Sequence, residues 1–256
     1  MKIGIITDIH ENVLMLREAF KMAVIHKCDE IACLGDIVGF DRRFYRHDNK
    51  RSAKECVNMV KSSCRWIVAG NHDMFAAARF PEYSNGFEFP ESWFSLTAGE
   101  RKSAACGQVW CYEGDVPNDL DENDIHFLKT LPEYLVVSDI GFPALFSHYI
   151  FPDLTGSTTR YIERNSQLSD VWNFMEINKV LISFSGHSHN HFPGFAYRKE
   201  IAFLKALNTN PNSSIKLGDE MVVIVLPPLA GESGRTGFSI IDSVNMRLNI
   251  ISTVLA

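Results

Sequence analysis

The sequence predicts an α/β protein built on parallel strands, and three observations predict it. Short runs of Ile, Val and other apolar residues alternate with amphipathic stretches over the first seventy residues or so. Each of those runs stops at a polar cluster. Further strand candidates gather near the end of the chain, enough for a second sheet. Strands separated by helices run parallel, because the crossover brings the chain back to the same edge. Runs that are apolar throughout are strands buried on both faces.

In order, residues 2–7 read as the first strand and 11–26 as a helix, with apolar side chains at Val13, Leu14, Leu16, Phe20 and Ala23 on one face. Residues 30–34 read as a second strand, 40–50 as a basic irregular segment, 52–63 as a helix and 65–69 as a third strand. Residues 74–117 break the rhythm. They hold many aromatics without strand periodicity and read as a cap or insertion of short helices and loops. Residues 121–130 read as a helix, with Asp121 and Glu122 favourably placed at its start. Residues 134–138 and 144–147 read as a strand pair, 166–178 as a helix and 180–185 as a buried strand. The last strand candidates are 192–198, 220–226, 238–242 and 246–253. Residues 208–214 read as a polar, mobile loop. The whole is expected to be a single domain, 1–256, with the cap at about 74–117.

Composition narrows the function. Of 256 residues, 46% are hydrophobic and 22% charged, an ordinary globular balance that can bury a sizeable core without staples. Lys and Arg total 25 against 31 Asp and Glu, a formal net charge of -6. That balance disfavours a nucleic acid as main partner. Six cysteines occur without a C-x-x-C pair and are expected to be reduced, small buried hydrophobes. The opening MKIGIITDIHEN has the shape of a strand rather than a signal peptide. No apolar stretch reaches the roughly 18 residues of a membrane helix. The expectation is a soluble, cytoplasmic protein with no membrane partner.

Five clusters follow the strand runs: Asp8-Ile9-His10, Gly35-Asp36-Ile37-Val38-Gly39, Gly70-Asn71-His72-Asp73, His148, and Gly186-His187-Ser188-His189. Singly, each has a structural explanation: Asp8 as a helix cap, the Gly-Asp and Gly-Asn pairs as turns, the histidines as solvated or satisfied polar groups. Together they offer a mixed carboxylate and imidazole set, which suits Mn, Fe or Zn better than Ca or Mg. The clusters hold no cysteine, unlike a structural zinc site. Seven candidate ligands, Asp8, His10, Asp36, Asn71, His148, His187 and His189, exceed the four of one tetrahedral zinc. They suit two ions about 3.5–4 Å apart that share a carboxylate.

The ordered set D-x-H, G-D-x-x-G, G-N-H-D, H, G-H-S-H resembles the calcineurin-like metallophosphoesterases, and the stretch Leu34 to Phe40 resembles the small prokaryotic phosphatase and phosphodiesterase branch of that family. The resemblance implies a four-layer αββα sandwich of two mixed sheets flanked by helices. It implies that Asp8, His10 and His189 bind one metal, that Asn71, His148 and His187 bind the other, and that Asp36 bridges them. It implies that His72 serves the leaving-group oxygen, oriented by Asp73. The cofactors implied are two divalent ions, Mn first, with Fe, Zn or Ni as others. The reaction implied is hydrolysis of a phosphate ester by a metal-bridging hydroxide on a small phosphorylated or phosphodiester substrate. A nuclease of the same fold and a catalytically silent phosphate-ligand-binding protein are the alternatives.

Three departures stand out. Glu11 occupies the place after the first His where the family often has Gly; it either begins the helix or lies near the metals. Pro228-Leu229-Ala230-Gly231 replaces an Asn-Pro-Gly-Ser-like turn. The Asp-Arg pair that family protein phosphatases carry after G-D-x-x-G is missing, which lowers the expectation of a phosphoprotein substrate. Residues 41–51 hold five Arg or Lys residues. Arg42 and Arg43 are the candidate phosphate contacts there, with Asn71 as a further substrate contact; a solvated basic loop is the alternative. Arg160 and Arg198 are weaker candidates. His26, His47, His126 and His191 are read as surface or packing residues. The cap aromatics are candidates for a homodimer face.

Overall fold

Alternation along single strands sets the layers of this protein. In the strand Val222–Val225, Val222 and Ile224 face one core while Val223 and Val225 face another. Side chains of a strand point alternately to opposite faces, so a strand apolar at every position must be covered twice. The computed structural model describes residues 1–162, 164–189, 194–199, 205–206, 213–231 and 236–253. Twelve strands occur among them: β1 (Lys2–Ile6), β2 (Glu30–Cys33), β3 (Trp66–Ile67), β4 (Tyr134–Val137), β5 (Ala144–Ser147), β6 (Ile182–Ser185), β7 (Gly194–Tyr197), β8 (Lys205–Ala206), β9 (Ser213–Lys216), β10 (Val222–Val225), β11 (Gly237–Asp242) and β12 (Arg247–Ser252). The α-helices are α1 (Val13–Ile25), α2 (Ala53–Ser63), α3 (Asn71–Ala76), α4 (Ala98–Ala105), α5 (Glu122–Thr130) and α6 (Ser169–Ile177).

The strands form two mixed six-stranded sheets, ordered β3-β2-β1-β11-β12-β9 and β4-β5-β6-β10-β7-β8. In the first, β1, β2 and β3 run parallel while β11, β12 and β9 join antiparallel. In the second, β5, β6 and β10 run parallel. Between the sheets lies an apolar layer that includes Ile3, Ile5, Leu34, Phe146, Phe184, Ile224 and Ile241. Helices α1, α2 and α5 cover the outer face of the first sheet through Leu16, Ala19, Val57, Val60 and Leu128. Helix α6 covers the second through Val171, Trp172 and Met175. The result is the four-layer αββα sandwich. The late strands do not make a sheet of their own, as their position in the sequence suggests. They divide between both sheets, because each sheet has an edge of parallel strands to extend.

Local chemistry fixes the helix starts. Asn12 caps α1 by accepting a hydrogen bond from Met15 N, so the helix begins two residues later than its apolar spacing suggests. Ser52 caps α2. Asp121 and Asp124 form a reciprocal capping box on α5. Residues 165–168 are a 3-10 turn leading into α6. The cap holds α4 and a small core of Trp93, Ala105 and Val109 ringed by Phe87, Phe89 and Phe94. Its aromatics pack mainly on one another; Phe80 reaches solvent, at 41% exposure. Residues 208–212 of the expected loop lie outside the described residues, and Ser213 and Ser214 belong to β9. Residues 192 and 193 of a strand candidate, and His191, also lie outside them.

Candidate metal centre

The ends of parallel strands from both sheets meet at one place. Asp8 and His10 follow β1, Asp36 follows β2, and Asn71 opens α3 just past β3. His148 follows β5, and His187 and His189 follow β6. In open α/β sheets the carboxyl ends of strands are where ligands bind.

One donor from each of Asp8, His10, Asp36 and His189 can be chosen so that all lie within 4.8 Å of one another. The same holds for Asp36, His148 and His187, so the Asp36 carboxylate belongs to both groups. Its Oδ2 is 3.2 Å from His148 Nε2 and 3.7 Å from His10 Nε2. Asp8 Oδ1 is 3.2 Å from His189 Nε2. Asn71 borders the cluster, since its neighbour His72 donates its backbone N–H to Asp36 Oδ1 at 2.9 Å.

Backbone carbonyls orient two of the imidazoles. His10 Nδ1 lies 2.7 Å from Gly39 O, and His148 Nδ1 lies 2.7 Å from Leu34 O. Each Nδ1 must therefore carry a proton, and each Nε2 faces the cluster. Ligating histidines are held in this way. The backbone is strained to the same end. Asp8, His10, Asp36, His187 and His189 all adopt left-handed conformations, with φ between 43 and 66°. Such residues cost about 1–3 kcal/mol each and persist only where the surroundings force them. Here Asp8, Ile9 and His10 donate backbone N–H bonds to Gly35 and Asp36, and Ala230 donates to Asp8 O at 2.8 Å. The turn at Pro228 thus clamps the first ligand loop despite its altered sequence.

Two buried oxygens show that the site fits divalent metals. Asn71 Oδ1 is buried without a hydrogen-bond partner, and Asp8 Oδ1 is buried without an aligned one, meeting only the ring nitrogens of His189, His10 and His148 at 3.2, 3.9 and 3.9 Å. Leaving such atoms unsatisfied costs about 1–3 kcal/mol each, and a hard cation among carboxylate and imidazole donors is the partner both lack. The carboxylates are charged, as ligands must be. Burial pushes Asp8 upward, but His189, His10 and His148 outweigh it and hold the group well below the usual range. Burial of Asp36 is likewise outweighed, mainly by His148 and His72. Burial pushes His187 down to about 3, reinforced by His148, and also lowers His10. For His148, burial is overcome by Asp36, which raises it to about 9.

The other expected site residues fare differently. His72 stands beside the cluster, its ring centroid 5.0 Å from that of His10. Its Nδ1 is 2.9 Å from Asp115 Oδ2, and Asp115 lies in the cap. Against burial, Asp115 and Asp36 raise His72 to about 10. Asp73 does not face His72. Its carboxylate accepts the backbone N–H groups of Ile37, Val38 and Gly70, because the third residue of a helix turns back toward the helix start. Burial, aided by Asp36, pushes Asp73 up to about 7. Arg42 is bound to Asp48, and Arg43 to Asp41 and Glu113, so these guanidiniums clamp the loop rather than reach toward the ligands. Glu11 is outside α1. Buried and at φ 63°, it accepts from Gly39 N and pairs with Arg51.

Side chains the motifs do not mark complete the walls. Tyr45 stacks on His10 at 4.6 Å, with its hydroxyl 3.5 Å from His189 Nε2. His47 Nε2 lies 2.9 Å from His10 O. Asn71 Nδ2 donates to Tyr112 Oη at 3.4 Å, and Tyr161 stacks on His187 at 5.7 Å. The basic loop therefore does cover the site, through Tyr45 and His47 rather than through arginine. Among the described residues no helix is long and apolar enough to cross a membrane.

Comparison with known proteins agrees with this geometry. The sequence profile described as calcineurin-like phosphoesterase matches residues 1–191. An uncharacterized protein of Methanocaldococcus jannaschii is 25% identical over 201 residues, which are 74% of this chain and 63% of that protein. The chain thus spans less than two thirds of that relative's length. A metallophosphoesterase from Sphaerobacter thermophilus superposes with a TM-score of 0.68 at 19% identity, covering 100% of this chain and 89% of the other. A hypothetical protein from Pyrococcus horikoshii superposes with a TM-score of 0.60 at 12% identity, covering 100% and 88%. At these identities the structural likeness is one of fold. With five ligand clusters gathered at the strand ends and a family profile over most of its length, the chain belongs to the calcineurin-like phosphoesterase family.

Proposed function

We propose that this chain hydrolyses a small phosphate ester with two divalent metal ions, Mn foremost, held by Asp8, His10, Asp36, Asn71, His148, His187 and His189. The observation that carries the reading is the Asp36 carboxylate, common to two donor groups beside the unpartnered Asp8 and Asn71 oxygens. When bound, the metal pair would supply Lewis acidity to the phosphate and lower the pKa of a water toward neutrality.

The chain's own residues do the rest. Asp36 and Asp8 fix the charge of the site, and the carbonyls of Gly39 and Leu34 keep His10 and His148 aimed at it. His72 has Nδ1 engaged with Asp115, which leaves Nε2 to donate a proton to the leaving oxygen as the P–O ester bond breaks. Tyr45 and Tyr112 wall the two ends of the ligand set and limit the access of bulk water.

The test is hydrolysis of p-nitrophenyl phosphate and bis-p-nitrophenyl phosphate by metal-stripped protein, with and without Mn. Turnover should require the metal and fall at least about 100-fold in Asp36→Asn, since even partners behind the ligands are worth 10–100-fold. Both metals should bind more weakly in that variant. Normal metal content in Asp36→Asn would remove the bridging role. No turnover despite tight binding of two metals would leave a phosphate-ligand-binding protein instead.

A further inference from the structure

We infer that Asp115, carried by the cap, is the positioning residue for His72, so that the cap is part of the catalytic site. The inference rests on the reading of His72 as the proton donor to the leaving oxygen.

The motif itself offers Asp73 for this task, but Asp73 is fully engaged elsewhere. Three backbone N–H groups end on its two oxygens, tying the Asp36 loop to the start of α3. Asp115 occupies the vacated role at 2.9 Å from His72 Nδ1, and both side chains are mostly buried, 19% and 17% exposed.

Asp115 is not a loose carboxylate that drifts against a histidine. Its backbone bridges antiparallel to Asp41, and Val116 N donates to Phe40 O at 2.8 Å. Arg43 grips Asp41 with Nε and Nη2 and reaches Glu113 with Nη1, which joins the basic loop to the cap on either side of Asp115. Lys102 of α4 adds a second contact to Glu113. Arg43, expected from the sequence to hold substrate, is part of the clasp that delivers Asp115.

Packing confines the ring of His72 but does not choose between its two flipped orientations. Its backbone N–H is bound to Asp36. The ring lies so close to Gly39 that a methyl group there would approach Nδ1 to 2.2 Å, and it meets His10 and Tyr112 edge-on at 5.0 and 5.1 Å. An imidazole turned over about its last torsion puts Cε1 in the place of Nε2 and Cδ2 in the place of Nδ1, and that torsion has two broad wells. A carboxylate on Nδ1 selects one well and stabilises the imidazolium, whose Nε2–H is left for substrate.

The experiment compares aryl phosphoesters of graded leaving groups in the Mn-loaded enzyme and in Asp115→Asn and Asp115→Ala. The variants should lose about 10- to 100-fold in kcat on the phenyl ester, the usual cost of removing an orienting partner. They should lose far less on the p-nitrophenyl ester, whose leaving oxygen needs little proton transfer. KM and bound metal should stay near the wild-type values, and added formate should restore part of the phenyl-ester rate to Asp115→Ala. An equal loss on both esters, a loss of metal, or no loss overturns the inference. Inactive wild-type protein would instead count against the phosphoesterase reading. The inference is then tested by NMR on histidine-labelled protein, where an exchange-protected His72 Nδ1–H signal should vanish in Asp115→Ala; its persistence overturns the inference.

Discussion

Five of the seven candidate ligand residues hold left-handed backbone conformations that ordinary side chains avoid. That concentration at one locus is the mark of strain kept for function, and the surrounding loop hydrogen bonds over-determine it. His72 differs from them. It sits on α3 with ordinary helical backbone, and its bond to Asp115 sets its orientation. His72→Ala should therefore cut turnover about 10²- to 10⁴-fold, the range for a lost general acid, while metal content measured by atomic absorption stays near two per chain. Unchanged turnover of an ester with a poor leaving group would exclude His72 from the reaction.

The short helix α3 is the element on which the site turns. It has only six residues, and its first three are Asn71, His72 and Asp73. Asn71 carries a buried, unpartnered oxygen beside the candidate metal locus, and His72 stands next to the candidate ligands. Asp73 closes the helix start while holding the Asp36 loop. In Asp73→Ala, three buried N–H donors lose their acceptor, at about 1–3 kcal/mol for each one left unsatisfied. Its melting temperature should drop markedly, with metal affinity falling as the Asp36 loop loosens. A variant as stable as the wild type would show that the loop is held by other contacts.

At the scale of the molecule, the candidate ligands bridge the two sheets. Asp8, His10, Asp36 and Asn71 come from the strand ends of one, His148, His187 and His189 from the other. Metals at this seam would tie the two halves of the sandwich together. A ligand that binds only the folded state adds about 2.7 kcal/mol at a hundred times its Kd, and about 2–4 °C per kcal/mol applies to chains near this size. Chelation should lower the melting temperature by roughly 5–10 °C, and Mn should restore it. Identical melting curves with and without metal would mean that the seam is held by protein contacts alone.

The sequence by itself determined the class of fold and marked the candidate ligand residues. Buried strands must be apolar, and donors must sit just past them, so both leave a local imprint at fixed spacing. The patterns around Asp8, Asp36, Asn71 and His187 are of that kind. It did not determine the partner of His72, because Asp115 meets it across 43 residues of chain and only the docking of the cap brings them together. Nor did it decide the fate of Arg43, whose charge is spent on Asp41 and Glu113, or the allotment of the late strands between two sheets. A ligand motif is written within a few residues. An ion pair or a sheet edge is settled by where distant segments come to rest, and only the tertiary structure carries that information.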